Sequence, residues 1–264
     1  MHKLTLSEIQ QRELELLVKF DRICKENNLK YSLAYGTLIG AIRHNGFIPW
    51  DDDVDVLMPR GDYEKLLKIQ YKDDECELRH FSFTNNYGYP FAKLVDKNTI
   101  INEPWRTDIQ SGLFIDIFPF DYLDFNKGKQ FERLSKKAIF YQFLISVTNI
   151  KPFYYRRPHY IIRSFIAPFV KPFRKVLLNK NDNLTKKAEN GKYYGNIVYT
   201  ELKKPILLDS ELLKKTVEHT FENYKFSIME NFDYSLNSEY GDYMTPPPKE
   251  YQRNVHGLEA YYQK

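Results

Sequence analysis

Four carboxylates fall within five residues at Asp51-Asp52-Asp53-Val54-Asp55, and the chain continues at once into Val56-Leu57-Met58. From Asp53 onward acids and aliphatics alternate, which is a strand pattern. On a strand Asp51, Asp53 and Asp55 share one face at a spacing of about 6–7 Å. Like charges that close repel strongly unless a cation sits among them. Hard oxygen ligands of this kind suit Mg²⁺ or Mn²⁺; the plain alternative is a charged turn or cap. Asp116 is the one charged residue of Gly112–Phe120 and lies between Ile115 and Ile117. It reads either as a third carboxylate beside Asp53 and Asp55 or as a polar residue on an exposed edge strand. Gly36-Thr37 precedes Asp53 at a strand-to-helix break. Backbone N–H groups at a helix start, with a hydroxyl, can cradle phosphate, although Thr is also an ordinary N-cap.

These residues need elements to hold them. Ser7 and Gln10 fit a capping box, followed by apolar positions Ile9, Leu16, Leu17, Phe20, Ile23 and Cys24, so an N-terminal helix ending near Asn27-Asn28 is expected. Tyr31–Tyr35 reads as a strand, Leu38–Arg43 as a short helix stopped near Asn45-Gly46, and Gly61–Gln70 as a helix. Leu78–Phe83, Phe91–Val95 and Gly112–Phe118 read as strands. Beyond Asn126 helical patterns take over, from about Lys129 to Val147 and from about Ser210 to Glu230. The expected architecture is α+β: a mixed-sheet catalytic core over residues 1–125, then a mainly helical region over 126–264 packed on it.

The 264 residues carry 28% charged and 42% hydrophobic residues, which marks a globular chain. The net charge of +4 is unevenly spread. Asn126–Lys180 holds thirteen Lys/Arg against one acid, Glu132, so the rest is net acidic. A basic block on an acidic body suggests a polyanionic partner. Within it, 151–175 carries seven Lys/Arg, seven Phe/Tyr and no acid, with prolines at 152, 158, 168 and 172 that rule out one long helix. Its apolar runs are shorter than the roughly 20 residues that span a bilayer. Basic and aromatic residues together suit an anionic membrane surface. A solvated face over an aromatic core ranks below that reading, and a single-stranded nucleic-acid platform lower still. No opening stretch resembles a signal peptide. Cys24 and Cys76 suggest neither a metal site nor a disulfide, so a reducing cytoplasm is the expected compartment.

Gly-Thr, a strand with Asp-x-Asp, and a lone Asp on a later strand together resemble the nucleotidyltransferase fold. The string from Tyr35 to Val56, YGTLIGAIRHNGFIPWDDDVDV, resembles more specifically the signature of the LicD family, relatives of the fukutin-related proteins. Tyr89–Asp96, Gly112–Asp121 and Glu239–Pro248 resemble the family too, so the likeness reaches both ends of the chain. One departure is Tyr35, where smaller residues are usual and where a ring would narrow a donor pocket.

The resemblance implies transfer of phosphocholine from CDP-choline, or a similar nucleotide-activated donor, to a hydroxyl of teichoic acid, lipopolysaccharide or capsule. It implies Mg²⁺ (or Mn²⁺) bound by Asp53, Asp55 and Asp116, with Asp51 as a further candidate and Asp116 also able to take the acceptor's proton. Gly36 and Thr37 would meet the donor phosphates. Arg43, His44 and Lys93 are candidates to neutralise phosphate charge. Trp50, Trp105, Tyr87 and Tyr89 are the aromatics nearest the motifs, and a quaternary ammonium favours aromatic faces. The acceptor is expected to be lipid-linked, and the enzyme peripheral to the inner face of the membrane. The rival readings are a nucleotidylyltransferase and a non-catalytic membrane- or glycan-binding relative.

Overall fold

The computed structural model describes residues 1–103, 106, 111–123, 129–151, 158–184, 186, 193–195, 208–209, 215–254 and 257–263. A short strand β1 (His2–Lys3) leads into helix α1 (Leu6–Glu26). The capping box lies two residues earlier than Ser7/Gln10. The Thr5 hydroxyl accepts from the Glu8 N–H at 3.3 Å, and Glu8 Oε2 accepts from the Thr5 N–H at 2.8 Å. Thr5 wins because an acid three residues on completes the box, whereas Gln10 is drawn away to the loop before Asp51.

Strand β2 (Ser32–Leu33), helix α2 (Tyr35–His44), strand β3 (Asp55–Pro59) and helix α3 (Arg60–Ile69) follow. Next come strands β4 (Cys76–Arg79), β5 (Ala92–Asp96), β6 (Thr99–Ile101) and β7 (Phe114–Leu123). The central sheet runs β2-β3-β7-β5-β4. Strands β3 and β7 are parallel; the other neighbours on this path are antiparallel. The fold is α+β with a mixed sheet, as expected. Its main core gathers Leu17 and Phe20 of α1, Leu38 of α2, Val56 and Met58 of β3, Tyr63 of α3 and Ile115 and Ile117 of β7.

Helix α4 (Lys129–Thr148) matches its predicted span, and α5 (Pro158–Val170) and α6 (Arg174–Asp182) pack against it. A 3-10 turn, Lys171–Phe173, separates α5 from α6, so the proline-rich stretch is broken as expected. Strands β8 (Tyr193–Gly195) and β9 (Leu208–Asp209) extend the sheet from the far end of β7.

The helix expected over Ser210–Glu230 is not there. Positions 210–214 lie outside the described residues, and the rest is an antiparallel hairpin of β10 (Thr216–Phe221) and β11 (Tyr224–Met229). Val217, Phe221, Tyr224 and Ile228 recur at helical intervals, but two-residue alternation at Phe226 and Ile228 is what buries side chains. The turn at Glu222, where φ is +52°, fixes the hairpin. The hairpin packs on β2 and α2, with Phe221 and Phe226 in the main core. Helix α7 (Phe232–Tyr240) follows, and strand β12 (Ala260–Tyr262) inserts between β1 and β6. Both cysteines are free and buried.

Two buried arginines tie the helices of the arm that follows residue 129 to the rest of the fold. Arg60 makes a two-pronged contact with Asp121 of β7 at 2.6 and 2.9 Å and reaches Asp182 of α6 at 2.7 Å. Arg174 is bonded to Thr148 at 3.0 Å and to Asn86 at 2.6 Å. It therefore faces inward and is subtracted from the cations of 151–175 that could meet a membrane.

Candidate active site

Register places two of the predicted carboxylates; β3 begins at Asp55, so Asp51 and Asp53 lie in the segment before it and do not share a strand face with Asp55 as expected. Asp55 of β3 lies directly beside Asp116 of β7, and Asp116 lies opposite Lys93 of β5. The three side chains form a row across the middle of the sheet. Main-chain bonds on every side hold the row rigid. The Asp55 N–H donates to the Thr37 hydroxyl at 2.9 Å, the Asp116 N–H to the Val54 carbonyl at 2.8 Å, and the Ala34 N–H to the Asp55 carbonyl at 3.0 Å.

Lys93 is 2% exposed, and its ammonium lies 2.6 Å from Asp116 Oδ1. The rings of Phe114 and Tyr89 stand 3.1 and 4.2 Å from that ammonium, which suits a desolvated cation. Burial lowers the Lys93 pKa, and Asp116 opposes the shift. Its charge is thus committed to a carboxylate within the sheet. Asp55 is pushed well above the usual carboxylate range by desolvation, then by the charges of Asp53, Asp116 and Asp51, with Lys93 opposing.

Helix α2 starts beside this row. Its first residue, Tyr35, has φ of +47°, a left-handed conformation that costs a non-glycine residue about 1–3 kcal/mol. The Tyr35 ring turns edge-on to Phe118 at 5.7 Å. Gly36 lies directly under Asp51: a Cβ there would stand 2.8 Å from Asp51 Oδ2 and would push that carboxylate aside. The spot at which a helix start would receive phosphate is therefore overhung by a carboxylate. A phosphate enters favourably only with a cation between the two anions.

Arg43 and His44 lie two turns further along α2, about 10 Å of helix rise from Gly36, and they form their own group. Arg43 donates to His44 Nε2 at 2.9 Å and to the Tyr243 carbonyl at 2.6 Å. Burial and then the Arg43 charge lower the His44 pKa, in keeping with a neutral ring that accepts at Nε2. Trp50 stands 6.3 Å from that ring. Tyr87 is a core residue whose hydroxyl donates to the Phe91 carbonyl. Tyr89 lies between two cations already, with Arg106 4.3 Å from its ring. Trp105 is outside the described residues.

The structure adds one acid that the motifs did not supply. Glu13 of α1 is fully buried, and neither of its oxygens has a hydrogen-bond partner among the described residues. Desolvation and then the charges of Asp53, Asp52, Asp51 and Asp116 hold its pKa far above normal. Its signal was legible: Glu13 interrupts the apolar stripe Ile9, Leu16, Leu17, Phe20. Asp52 is buried, and its Oδ2 accepts from the Leu258 N–H at 3.0 Å. Among the described residues, no three Asp, Glu, His or Cys side chains are drawn tightly enough together to hold an ion as they stand.

A family model described as the LicD/FKTN/FKRP nucleotidyltransferase domain matches residues 28–179. The chain belongs to the LicD family. That match includes Gly36, Thr37, Asp53, Asp55, Lys93 and Asp116 and stops short of Glu13. The lipopolysaccharide cholinephosphotransferase LicD of Haemophilus influenzae is 30% identical over 272 aligned residues, covering 99% of each chain. Uncharacterized proteins of Rickettsia typhi and Rickettsia prowazekii are 36% and 45% identical over shorter stretches, covering 29% and 25% of this chain and 23% and 22% of theirs. As a LicD-family member the chain is a phosphotransferase, which sets aside the non-catalytic reading.

Proposed function

We propose that this enzyme moves phosphocholine, or a closely similar phospho-alcohol, from a CDP-linked donor to a hydroxyl of a cell-surface glycan. The observation that carries the reading is the side-by-side register of Asp55 and Asp116 next to the Gly36-Thr37 helix start. The full-length similarity to a lipopolysaccharide cholinephosphotransferase supports the donor and the glycan acceptor.

The donor set fits a hard divalent cation in chemistry and charge. Asp53, Asp55 and Asp116 would hold it, with Asp51 close by over Gly36. The orphaned Glu13 carboxyl and the raised Asp55 pKa both mark a site short of positive charge. Binding would have to draw these side chains inward. When bound, Mg²⁺ or Mn²⁺ would polarise the phosphoryl group and offset the charge on the transferred phosphate. The chain's own part is positional. Thr37 ties α2 to β3, Lys93 orients Asp116, and Asp116 would accept the proton of the attacking hydroxyl.

The acceptor is lipid-linked in this reading, and the surface supports it. Phe140 and Phe143 of α4, Ile162, Phe165 and Phe169 of α5, and Phe173 of the following turn are 41–78% exposed. Lys136 and Lys137 lie on α4, Lys171 in the turn and Lys175 at the start of α6. Apolar side chains with interleaved lysines suit the headgroup region of an anionic bilayer. Among the described residues, no helix is long and apolar enough to cross one.

The deciding experiment incubates the protein with Mg²⁺, a panel of CDP-alcohols and a glycan acceptor. The expected products are CMP and a phospho-alcohol on the glycan. Transfer of the nucleotide to the acceptor, with release of the free phospho-alcohol, would overturn the proposal in favour of nucleotidylyl transfer.

A further inference from the structure

We infer that Glu13 is a further ligand of the cation proposed at Asp53, Asp55 and Asp116, supplied by α1 from outside the sheet. The inference rests on the cation reading above. Its evidence is separate: Glu13 is 0% exposed, and both its oxygens lack a hydrogen-bond partner among the described residues. A carboxyl left this way is costly, and an apolar residue on the same stripe would avoid the cost.

The surroundings say what the missing partner is. The charges acting on Glu13 are those of Asp53, Asp52, Asp51 and Asp116, all acidic. One turn earlier on the same face of α1, the Gln10 amide donates to the Asp51 carbonyl at 2.9 Å and to the Ile48 carbonyl at 3.4 Å. Helix α1 is thereby seated on the loop that delivers the aspartates. Ile9, Leu16 and Leu17 close the rest of that face with apolar packing. A buried carboxyl among carboxylates, on a helix pinned to their loop, is completed by a divalent cation. A hydrogen-bond donor would satisfy one oxygen and leave the other without a partner, whereas a divalent cation also offsets the neighbouring aspartates.

The test uses the full chain, without reference to turnover. Calorimetric titration with MnCl₂ gives the affinity, and melting in EDTA and in MgCl₂ gives fold and linkage. Wild type is expected to bind Mn²⁺ and to melt higher in Mg²⁺. Glu13→Gln is expected to melt in EDTA at or near wild type, because without a cation burial favours the uncharged carboxyl, which Gln matches in size. Its Kd for Mn²⁺ should rise about 10–100-fold, the scale set by losing a group that supports a metal site, and most of the Mg²⁺-induced rise in Tm should disappear. Wild-type Mn²⁺ affinity in Glu13→Gln overturns the inference while leaving the three-aspartate site intact. A wild-type protein that binds no Mn²⁺ overturns both. If Glu13→Gln does not fold, Glu13→Asp carries the titration: weakened binding upholds the inference and unchanged binding overturns it.

Discussion

Replacing Lys93 with Met tests whether the sheet carries its own counter-charge. The ammonium lies 2.6 Å from Asp116 and is 2% exposed, whereas the Asp116 side chain retains 13% exposure. Breaking a buried ion pair by removing one partner costs about 3–5 kcal/mol. The residual exposure of Asp116 places this case near the lower end, about 3 kcal/mol. For a chain of this size each kcal/mol moves Tm by about 2–4 °C, so Lys93→Met should melt about 6–12 °C below wild type in EDTA. Three features make the outcome specific. Lys93→Met/Asp116→Asn should recover much of the loss, with a coupling energy of about 1–3 kcal/mol. Mg²⁺ should rescue Lys93→Met more than it stabilises wild type, because a cation then takes the place of the ammonium. The kcat should fall about 10²–10³-fold, the scale of losing one electrostatic stabiliser. The assay is differential scanning calorimetry of the four proteins with and without Mg²⁺. If Lys93→Met melts with wild type and the double variant shows no coupling, Asp116 does not depend on Lys93 and the row is wrongly read.

Three further outcomes follow from the same geometry. Asp55→Asn should abolish turnover while leaving the Tm in EDTA about unchanged, since without a cation burial favours the neutral form of Asp55, which Asn resembles; full activity in EDTA would refute the cation site. Replacing Phe165 and Phe169 with Ser, together with Lys171→Gln and Lys175→Gln, should weaken co-sedimentation with anionic liposomes and slow transfer to a lipid-linked acceptor; transfer to a short soluble acceptor should be spared, and undiminished co-sedimentation would show that the α4–α5 face meets something other than lipid. Burial pushes the Glu239 carboxyl up to about 7. A raised folded pKa gives stability that is complete below the ordinary value of 4.5 and lost as pH rises through 7. Glu239→Gln should therefore melt above wild type at about pH 8 and with it at about pH 4, and a pH-independent difference would refute the assignment.

Much of the site was legible because its spacing is local. Alternation along Asp53–Met58 marked the strand that carries Asp55, although that strand starts only at Asp55 and leaves Asp51 and Asp53 before it, and the isolation of Asp116 among aliphatics marked a second acid. Neither pattern could give the register that sets Asp116 between Asp55 and Lys93. That register turned Lys93 from a candidate phosphate clamp into the partner of a carboxylate. Gly36 was visible only as a glycine; the Asp51 carboxylate above it needed coordinates. Glu13 was visible as an acid on an apolar stripe, but such a residue gains meaning only once its neighbours are known. The hairpin at 216–229 was misread because Val217, Phe221, Tyr224 and Ile228 satisfy a helical period, while the burial that decides between helix and strand comes from β2 and α2. The Arg60–Asp121–Asp182 contacts join residues 61 and 122 positions apart, beyond the reach of any local pattern.

Strand β7 carries Asp116 and, five residues on, Asp121. An odd separation points the two carboxylates to opposite sides of the sheet. One side holds Lys93 and the row of acids; the other is gripped by Arg60, which also holds Asp182 of the arm. Opening the arm therefore strips a buried guanidinium of one partner and loosens the strand beneath the chemistry. Amide hydrogen exchange would express this as shared protection: α6 and β7 should exchange through one common opening event rather than two. Loosening α6, by Asp182→Asn for example, should then quicken exchange at Ile115 and Ile117, far along the chain from the altered residue.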